Sequence, residues 1–166
     1  ITDYTGNETG TLTIPSSIDG VTVTSIKAYA LGSAKMKEVV IPNTIETLGF
    51  GVFQMCSSLE KVTFESGSKV TELKDSMFYQ CTKLKEVVFP ENLKSIKVLA
   101  FYKCTSLETV TLPEGFTTLY NAAFLDCTNL KTVIVPDSLN HMVMNPFEGC
   151  TNLETLSVPY RCWQFG

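Results

Sequence analysis

A pattern of apolar positions recurs along the chain with a spacing close to that of a structural repeat. Each copy reads apolar-x-x-apolar-x-apolar, and most copies end in proline. Residues 9–15 form an earlier, degenerate copy, and the later copies are 23, 25, 23, 23 and 23 residues apart. The period-two alternation and the β-branched residues predict one short strand per copy. The later copies begin at Met36, Leu59, Leu84, Leu107, Leu130 and Leu153.

The second half of each copy is equally regular and predicts the other wall of the core. A phenylalanine is followed three residues later by a cysteine, and an apolar residue lies upstream of both. One strand cannot bury its apolar side alone, whereas stacked copies pair in parallel about 4.8 Å apart. The columns are Phe53, Phe78, Phe101, Phe124, Phe147; Cys56, Cys81, Cys104, Cys127, Cys150; and Leu48, Leu73, Ile96, Leu119, Met142.

These columns predict an α/β solenoid, a right-handed horseshoe with about seven parallel short strands. The return arms are too short for long helices, so we expect irregular segments or 3₁₀ turns there. The chain is interpreted as one domain over residues 1–166. Residues up to 35 form an atypical first repeat with an inserted hairpin at Asp19-Gly20, 36–159 are regular repeats, and 160–166 are an end cap or a severed repeat. The start has neither Met nor a signal-peptide layout, so we expect a piece of a longer protein.

The second half of the repeat carries a family resemblance. Ala100-Phe101-Tyr-Lys-Cys104-Thr-Ser-Leu107 and the copy from Ala123 to Leu130 resemble the BspA-like bacterial leucine-rich repeats. Gly51-Val52 and Asn145-Pro146 depart from the usual residue-Ala pair before phenylalanine. The resemblance covers about residues 9–159. It implies a leucine-rich repeat horseshoe in a secreted or cell-surface bacterial protein, with adhesion as the usual suggested role and no family-wide catalytic residues.

Composition and charge narrow the partners. The formal net charge is −4, and a mildly acidic chain is a poor partner for nucleic acid or anionic membrane, which both require clustered Lys and Arg. No window approaches the roughly 18 apolar residues of a membrane helix. We therefore expect no nucleic-acid partner, no membrane insertion by this segment and a monomer.

The candidate chemistry of the chain favours structure over catalysis. The six cysteines form no C-x-x-C pair, so the zinc and thioredoxin patterns fail, and we expect no metal and no cofactor. The cysteine column is interpreted as buried, reduced thiols. Disulfides between neighbouring copies are within Cα reach, but side chains that all point the same way disfavour them, and the state of Cys162 stays open. His141 is the only histidine and no G-x-S-x-G motif occurs, so we predict that the chain is not an enzyme.

Charges alternate at the second position of successive strands. Opposite charges on adjacent strands attract by about 0.2–1 kcal/mol per pair, whereas a slip of one repeat would set like charges opposite each other. The alternation is therefore interpreted as register control, with little net field left to steer a charged ligand. The sequence of residues is Lys37, Glu60, Lys85, Glu108, Lys131, Glu154.

The outward side of the strands is the candidate binding face. An exposed apolar stripe on a sheet is a plausible contact surface, although β-branched residues also favour strands for their own sake. We expect a protein–protein interaction module that binds a protein or an extended polymer, such as a host matrix protein. A structural spacer and a carbohydrate-binding module are the alternatives. The face comprises Val40, Thr63, Val88, Thr111, Ile134, flanked by Glu38, Lys61, Glu86, Thr109, Thr132.

Overall fold

A computed structural model describes residue 1 and residues 9–159. The chain winds through successive turns, each with a longer strand, a two-residue strand and a return arm made of tight turns. The strands are β1 (Thr11–Thr13), β2 (Ser17–Ile18), β3 (Val21–Thr22), β4 (Ser25–Ile26), β5 (Glu38–Ile41), β6 (Thr47–Leu48), β7 (Lys61–Phe64), β8 (Glu72–Leu73), β9 (Glu86–Val88), β10 (Ser95–Ile96), β11 (Thr109–Thr111), β12 (Thr118–Leu119), β13 (Thr132–Ile134), β14 (His141–Met142) and β15 (Thr155–Ser157).

The longer strands pair in parallel, with equivalent residues opposite each other. They form the sheets β1-β5-β7-β9 and β11-β13-β15, and Val62 lies between Val39 and Val87. The two-residue strands form a second parallel series, β4-β6 and β8-β10-β12-β14. The predicted solenoid is therefore confirmed, with seven parallel longer strands in the described part of the chain.

The inserted hairpin lies where the sequence predicts it. Strands β2 and β3 pair antiparallel, with Ile18 opposite Val21. The two linking residues, Asp19 and Gly20, have φ of 51° and 78°, as a two-residue hairpin turn requires.

The core is a set of columns that run along the solenoid. Phe53, Phe78, Phe101 and Phe124 are fully buried, and neighbouring rings in the column have centroids 4.8–5.5 Å apart. Phe147, in the last turn, is half-buried. The phenylalanine register therefore faces the core as predicted.

The return arms correct the expectation of helical or irregular segments. Within the described residues no helix occurs, so this part of the fold is built from strands and turns and the α in the predicted α/β class is wrong. Successive backbone N–H groups of the arm alternate between two kinds of acceptor. Tyr79 N–H donates to Ser76 O, three residues back in the same turn (3.1 Å), whereas Phe78 and Gln80 donate to Ala100 O and Tyr102 O of the next turn (both 2.7 Å). A helix cannot form, because every second N–H group bonds to the neighbouring turn instead of to its own. The same alternation makes the arm regular.

Left-handed backbone recurs in every described return arm, two residues before and two residues after the column of Leu31 and the phenylalanines. A non-glycine residue in this conformation costs about 1–2 kcal/mol, which the bonds between turns and the ring stacking must outweigh. The departures Gly51 and Asn145 occupy such positions, and both residue types tolerate positive φ. The positions are Tyr29, Ser33, Gly51, Met55, Ser76, Gln80, Leu99, Lys103, Ala122, Asp126, Asn145 and Gly149.

We predict that Phe101→Ala lowers the free energy of unfolding by about 3–5 kcal/mol, because its ring contacts Phe78, Phe89 and Phe124. Phe53→Ala should cost less, since its described ring partner is Phe78 alone. Chemical denaturation measures both losses. Equal small losses would contradict the assignment of this column to the core.

We also predict that Ser76→Gly stabilises the protein by about 0.5–1 kcal/mol, the left-handed penalty less the chain entropy of glycine. Ser76 has φ of 56°. Ser95→Gly is the matched control, because Ser95 is equally half-buried but lies in strand β10, where glycine should destabilise by roughly 0.5–1 kcal/mol. Two losses of similar size in thermal and chemical unfolding would contradict the strain argument.

Candidate interaction face

The predicted outward residues share one side of the solenoid. The register places Thr63 between Val40 and Val88, and Thr111 beside Ile134. Val88 and Ile134 are 41% and 45% exposed, whereas Val40 and Thr63 are half-buried. The structure therefore assembles the five residues on one face, in two separate sheets. We call them, with their flanking row, the strand face.

The flanking row is partly occupied by contacts within the protein. Lys61 Nζ lies 2.9 Å from Glu86 Oε2, and Glu38 Oε2 accepts a hydrogen bond from Thr11 Oγ1 at 3.0 Å. Thr109 and Thr132 lie opposite each other in the β11–β13 pair. The row thus offers paired charges at one end and hydroxyl groups at the other.

Four of the alternating charges at the second position of the repeat form two ion pairs. Lys85 contacts Glu60 at 2.7 Å and Lys131 contacts Glu108 at 3.0 Å. The hydrogen bond from Lys85 holds the pKa of the Glu60 carboxyl below its usual range. These groups are exposed, so each pair contributes little stability. The alternation fits the observed register, in which Lys85 and Glu108 each pair away from the other.

The strand ladder is interrupted between β9 and β11. Elsewhere two successive N–H groups donate to one carbonyl of the preceding strand: Lys85 and Glu86 to Glu60 O (2.9 and 3.2 Å), and Lys131 and Thr132 to Glu108 O (2.9 and 3.2 Å). Within residues 9–159 the equivalent bonds from Glu108 and Thr109 to Lys85 O are not formed, and β9 and β11 belong to different sheets. The parallel pairing expected between stacked copies is therefore absent at this step.

Two core-facing side chains at the interruption are also more exposed than their equivalents in the next strand. Val87 and Phe89 are half-buried, although the equivalent Val110 and Leu112 are buried. The Phe89 ring meets Phe101 edge-on, at 6.1 Å between centroids. A depression of about 290 Å³ lies where β9 and β11 begin and is lined by Lys85, Ser106, Glu108 and Asn129. We call the space bounded by β9, β11 and this depression the notch.

The cysteines form a ladder that links neighbouring return arms. Each thiol donates to the backbone carbonyl of the phenylalanine in the preceding turn: Cys81 to Phe53 (3.0 Å), Cys104 to Phe78 (3.2 Å), Cys127 to Phe101 (3.0 Å) and Cys150 to Phe124 (3.2 Å).

The described cysteines are free thiols, all of them buried except Cys150, which is half-buried. Burial raises the pKa of the Cys81 and Cys104 thiols, which suits a structural role. The predicted burial is thus confirmed for the described cysteines other than Cys150, whose partial exposure is a correction. Their reduced state in solution stays a prediction. Cys162 lies outside the described residues.

The outer side of the return arms carries aromatic and lysine side chains. The rings of Tyr79 and Tyr102 are 4.6 Å apart, and the ammonium groups of Lys103 and Lys97 lie over the rings of Tyr102 and Tyr120 at 5.1 and 4.1 Å. A second depression, of about 400 Å³, lies on this side and is lined by Ser33, Met55, Ser57, Gln80, Thr82 and Lys103. The arms therefore present an ordered surface, which the sequence pattern did not reveal.

No catalytic or metal-binding arrangement stands out on the described surface. His141 is exposed in β14. No group of three or more His, Cys, Asp or Glu side chains in residue 1 or residues 9–159 is arranged to hold a metal ion. Over the same residues no helix has the length and apolar character needed to cross a membrane.

Comparison with known families agrees with this geometry. The BspA type leucine-rich repeat region matches residues 8–81 and 24–154, with six copies. The chain therefore belongs to the BspA-type leucine-rich repeat proteins. A comparison with curated proteins finds no match.

Solved structures of bacterial proteins share the fold. A T. pallidum leucine-rich repeat protein is 30% identical with a TM-score of 0.89, over 96% of this chain and 74% of that one. A Bacteroides ovatus leucine-rich repeat protein is 30% identical with a TM-score of 0.80, over 93% of this chain and 38% of its own. A leucine-rich cell surface protein from Faecalibacterium prausnitzii is 25% identical with a TM-score of 0.67, over 95% and 51%.

We predict that unfolding without reductant exposes at least five reactive thiols, one for each cysteine of the ladder. Among the ladder cysteines of the folded protein Cys150 should react first, because it alone of these five is half-buried. A chromogenic thiol reagent, applied before and after denaturation, provides the measurement. Fewer than five thiols after unfolding would indicate disulfides and refute the reduced ladder.

Proposed function

We propose that the chain is a protein–protein interaction module of a secreted or cell-surface bacterial protein, and that its strand face contacts the partner. The observation that carries this is the exposure of Val88 and Ile134 on a rigid parallel framework. Stacked repeats build extended surfaces of this kind for binding. The partner is a protein or an extended polymer of a host or neighbouring cell, because many modest contacts along a face suit a long ligand.

The proposed cell-surface location is supported by similarity to a solved structure. The F. prausnitzii structure is described as a cell surface protein, and this chain shares its repeat architecture. Adhesion follows as the proposed activity of a repeat surface presented outside the cell.

A binding role also suits the shape of the surface better than catalysis does. The two depressions, of about 290 and 400 Å³, are lined mainly by lysine and short polar side chains. The Lys85 and Glu108 side chains at the first depression are held in ion pairs. Enzyme sites are usually deeper and more apolar, with a few convergent polar groups.

We predict that Val88→Lys combined with Ile134→Lys abolishes adhesion, because two charges replace the exposed apolar contacts of the strand face. The matched control is Val143→Lys with Met144→Lys, which adds the same charge at residues of the return arm that are 37% and 76% exposed. Binding is measured to surfaces coated with a panel of extracellular-matrix proteins, with unfolding midpoints recorded for both variants. The unmodified protein should bind with little salt dependence, because the charges of the strand face nearly cancel.

A folded strand-face variant with unchanged adhesion would reject the strand face. Loss of adhesion in the return-arm control alone would move the site to the outer surface of the return arms, where the paired rings of Tyr79 and Tyr102 favour the carbohydrate alternative. If the unmodified protein adhered to none of the surfaces tested, the result would favour the alternative that the chain is a structural spacer.

A further inference from the structure

We infer that the notch receives one extended peptide strand of the partner, which pairs through its backbone and carries apolar side chains at alternate positions. This inference rests on the proposed function, since the notch lies on the strand face. It assigns a partner chemistry and a place of entry that the exposure of Val88 and Ile134 alone does not give.

The first argument is the backbone that the interruption leaves unpaired. In the next pair of strands Leu112 N–H donates to Ile134 O at 3.0 Å, but the equivalent N–H, that of Phe89, makes no such bond. Among the described residues the N–H groups of Phe89, Glu108 and Thr109 have no hydrogen-bond acceptor. The edge of a strand with unpaired donors and acceptors is the feature to which an extended peptide adds.

The second argument is the apolar surface exposed in the same place. Val87 and Phe89 contact the core yet remain half-buried, and no strand of the chain pairs with β9 on its side towards β11. Side chains of an added strand alternate between the two faces of the sheet. Those that point inward would cover Val87 and Phe89, and those that point outward would lie beside Val88 and Thr111. A segment with alternate apolar residues meets both requirements.

The third argument is the charge at the mouth of the notch. Lys85 and Glu108 line the depression, but each has its own ion-pair partner, Glu60 and Lys131. Neither charge is left for the ligand to neutralise. A neutral peptide backbone therefore fits this mouth better than an acidic or basic ligand.

The opening is confined to the strand side of the solenoid. On the opposite side the same two turns stay joined: Phe101 N–H donates to Ala123 O at 2.8 Å and Lys103 N–H to Leu125 O at 2.9 Å. Strands β10 and β12 also pair normally. The notch is therefore a wedge between two turns whose joined return arms hold it in position while the partner strand enters.

Amide hydrogen exchange tests the notch in the unmodified protein. The amides of Phe89, Glu108 and Thr109 should exchange about tenfold faster or more than their equivalents Leu112, Lys131 and Thr132, which are hydrogen-bonded. Equal protection of the two sets would mean that the ladder is closed in solution and would overturn the inference.

The probe for binding is a synthetic, end-blocked peptide with the sequence of residues 130–136 of this chain, which already pairs in parallel with β11. At saturation it should slow exchange at Phe89, Glu108 and Thr109. The same peptide with alternate backbone nitrogens methylated should not, because it lacks the donors. Unchanged exchange with the unmethylated peptide would overturn the inference. Protection that appears on concentrating the protein without peptide would assign the notch to a second copy and would also overturn it.

Proline substitutions give a matched pair. Thr109→Pro removes an N–H that makes no bond in the free protein, so the unfolding midpoint should hold while peptide affinity falls about tenfold. Thr132→Pro removes the N–H that bonds Glu108 O at 3.2 Å and should lower the midpoint. Unchanged peptide affinity in Thr109→Pro would contradict backbone pairing at this edge, and should Thr109→Pro fail to fold, the exchange measurements on the unmodified protein decide.

The adhesion assay separates this inference from the proposed function. Adhesion that survives Thr109→Pro but not the Val88 and Ile134 double substitution would place the partner on the strand face outside the notch and overturn the inference alone. Adhesion that survives both would reject the proposed function, and peptide protection of the notch amides would still decide the inference.

Discussion

The backbone carbonyl of each phenylalanine in the column is the point on which the return arms depend. Phe78 O accepts the N–H of Cys81, three residues later, at 3.1 Å, and the thiol of Cys104, one turn further, at 3.2 Å. One bond closes the tight turn and the other joins it to the next. Cysteine suits this position because it is small and hydrophobic yet has a weak S–H donor. Serine would bring a buried oxygen with further hydrogen bonds to satisfy.

This interaction explains why the first return arm departs from the pattern. Ala34 stands in the cysteine column, and no earlier return arm of the described residues presents a carbonyl for a thiol there. Leu31 in turn replaces the first phenylalanine, but its carbonyl still accepts the Cys56 thiol at 3.1 Å. The repeat therefore has a direction along the solenoid. The thiol of one arm donates to a carbonyl of the preceding arm, and a carbonyl of the same arm accepts the thiol of the next.

The period of the sequence was enough to predict the columns, since equivalent residues of a stacked repeat must meet. It was not enough to predict the return arms. Leu99 and Lys103 adopt left-handed backbone, which neither residue type favours, so no local signal marks the turn. The conformation follows from donors shared between turns, a tertiary effect. The interruption at β9 was hidden in the same way, because Leu84 to Pro90 matches the repeat as well as its neighbours do.

In the candidate site, too, the repeat pattern predicts some features and tertiary contacts determine the others. Residues that point outward could be chosen from alternation alone, and the register confirms that Val88 and Ile134 are exposed on one side. Which ladder bonds form could not be chosen, because the copies that carry Val88 and Thr111 follow the same repeat pattern as copies that do bond. A uniform solenoid offers the same weak contact at every turn, and such a surface has no reason to hold a partner in one register. An unpaired step in the ladder of longer strands provides that reason, since there a partner can form bonds that the chain does not already make for itself.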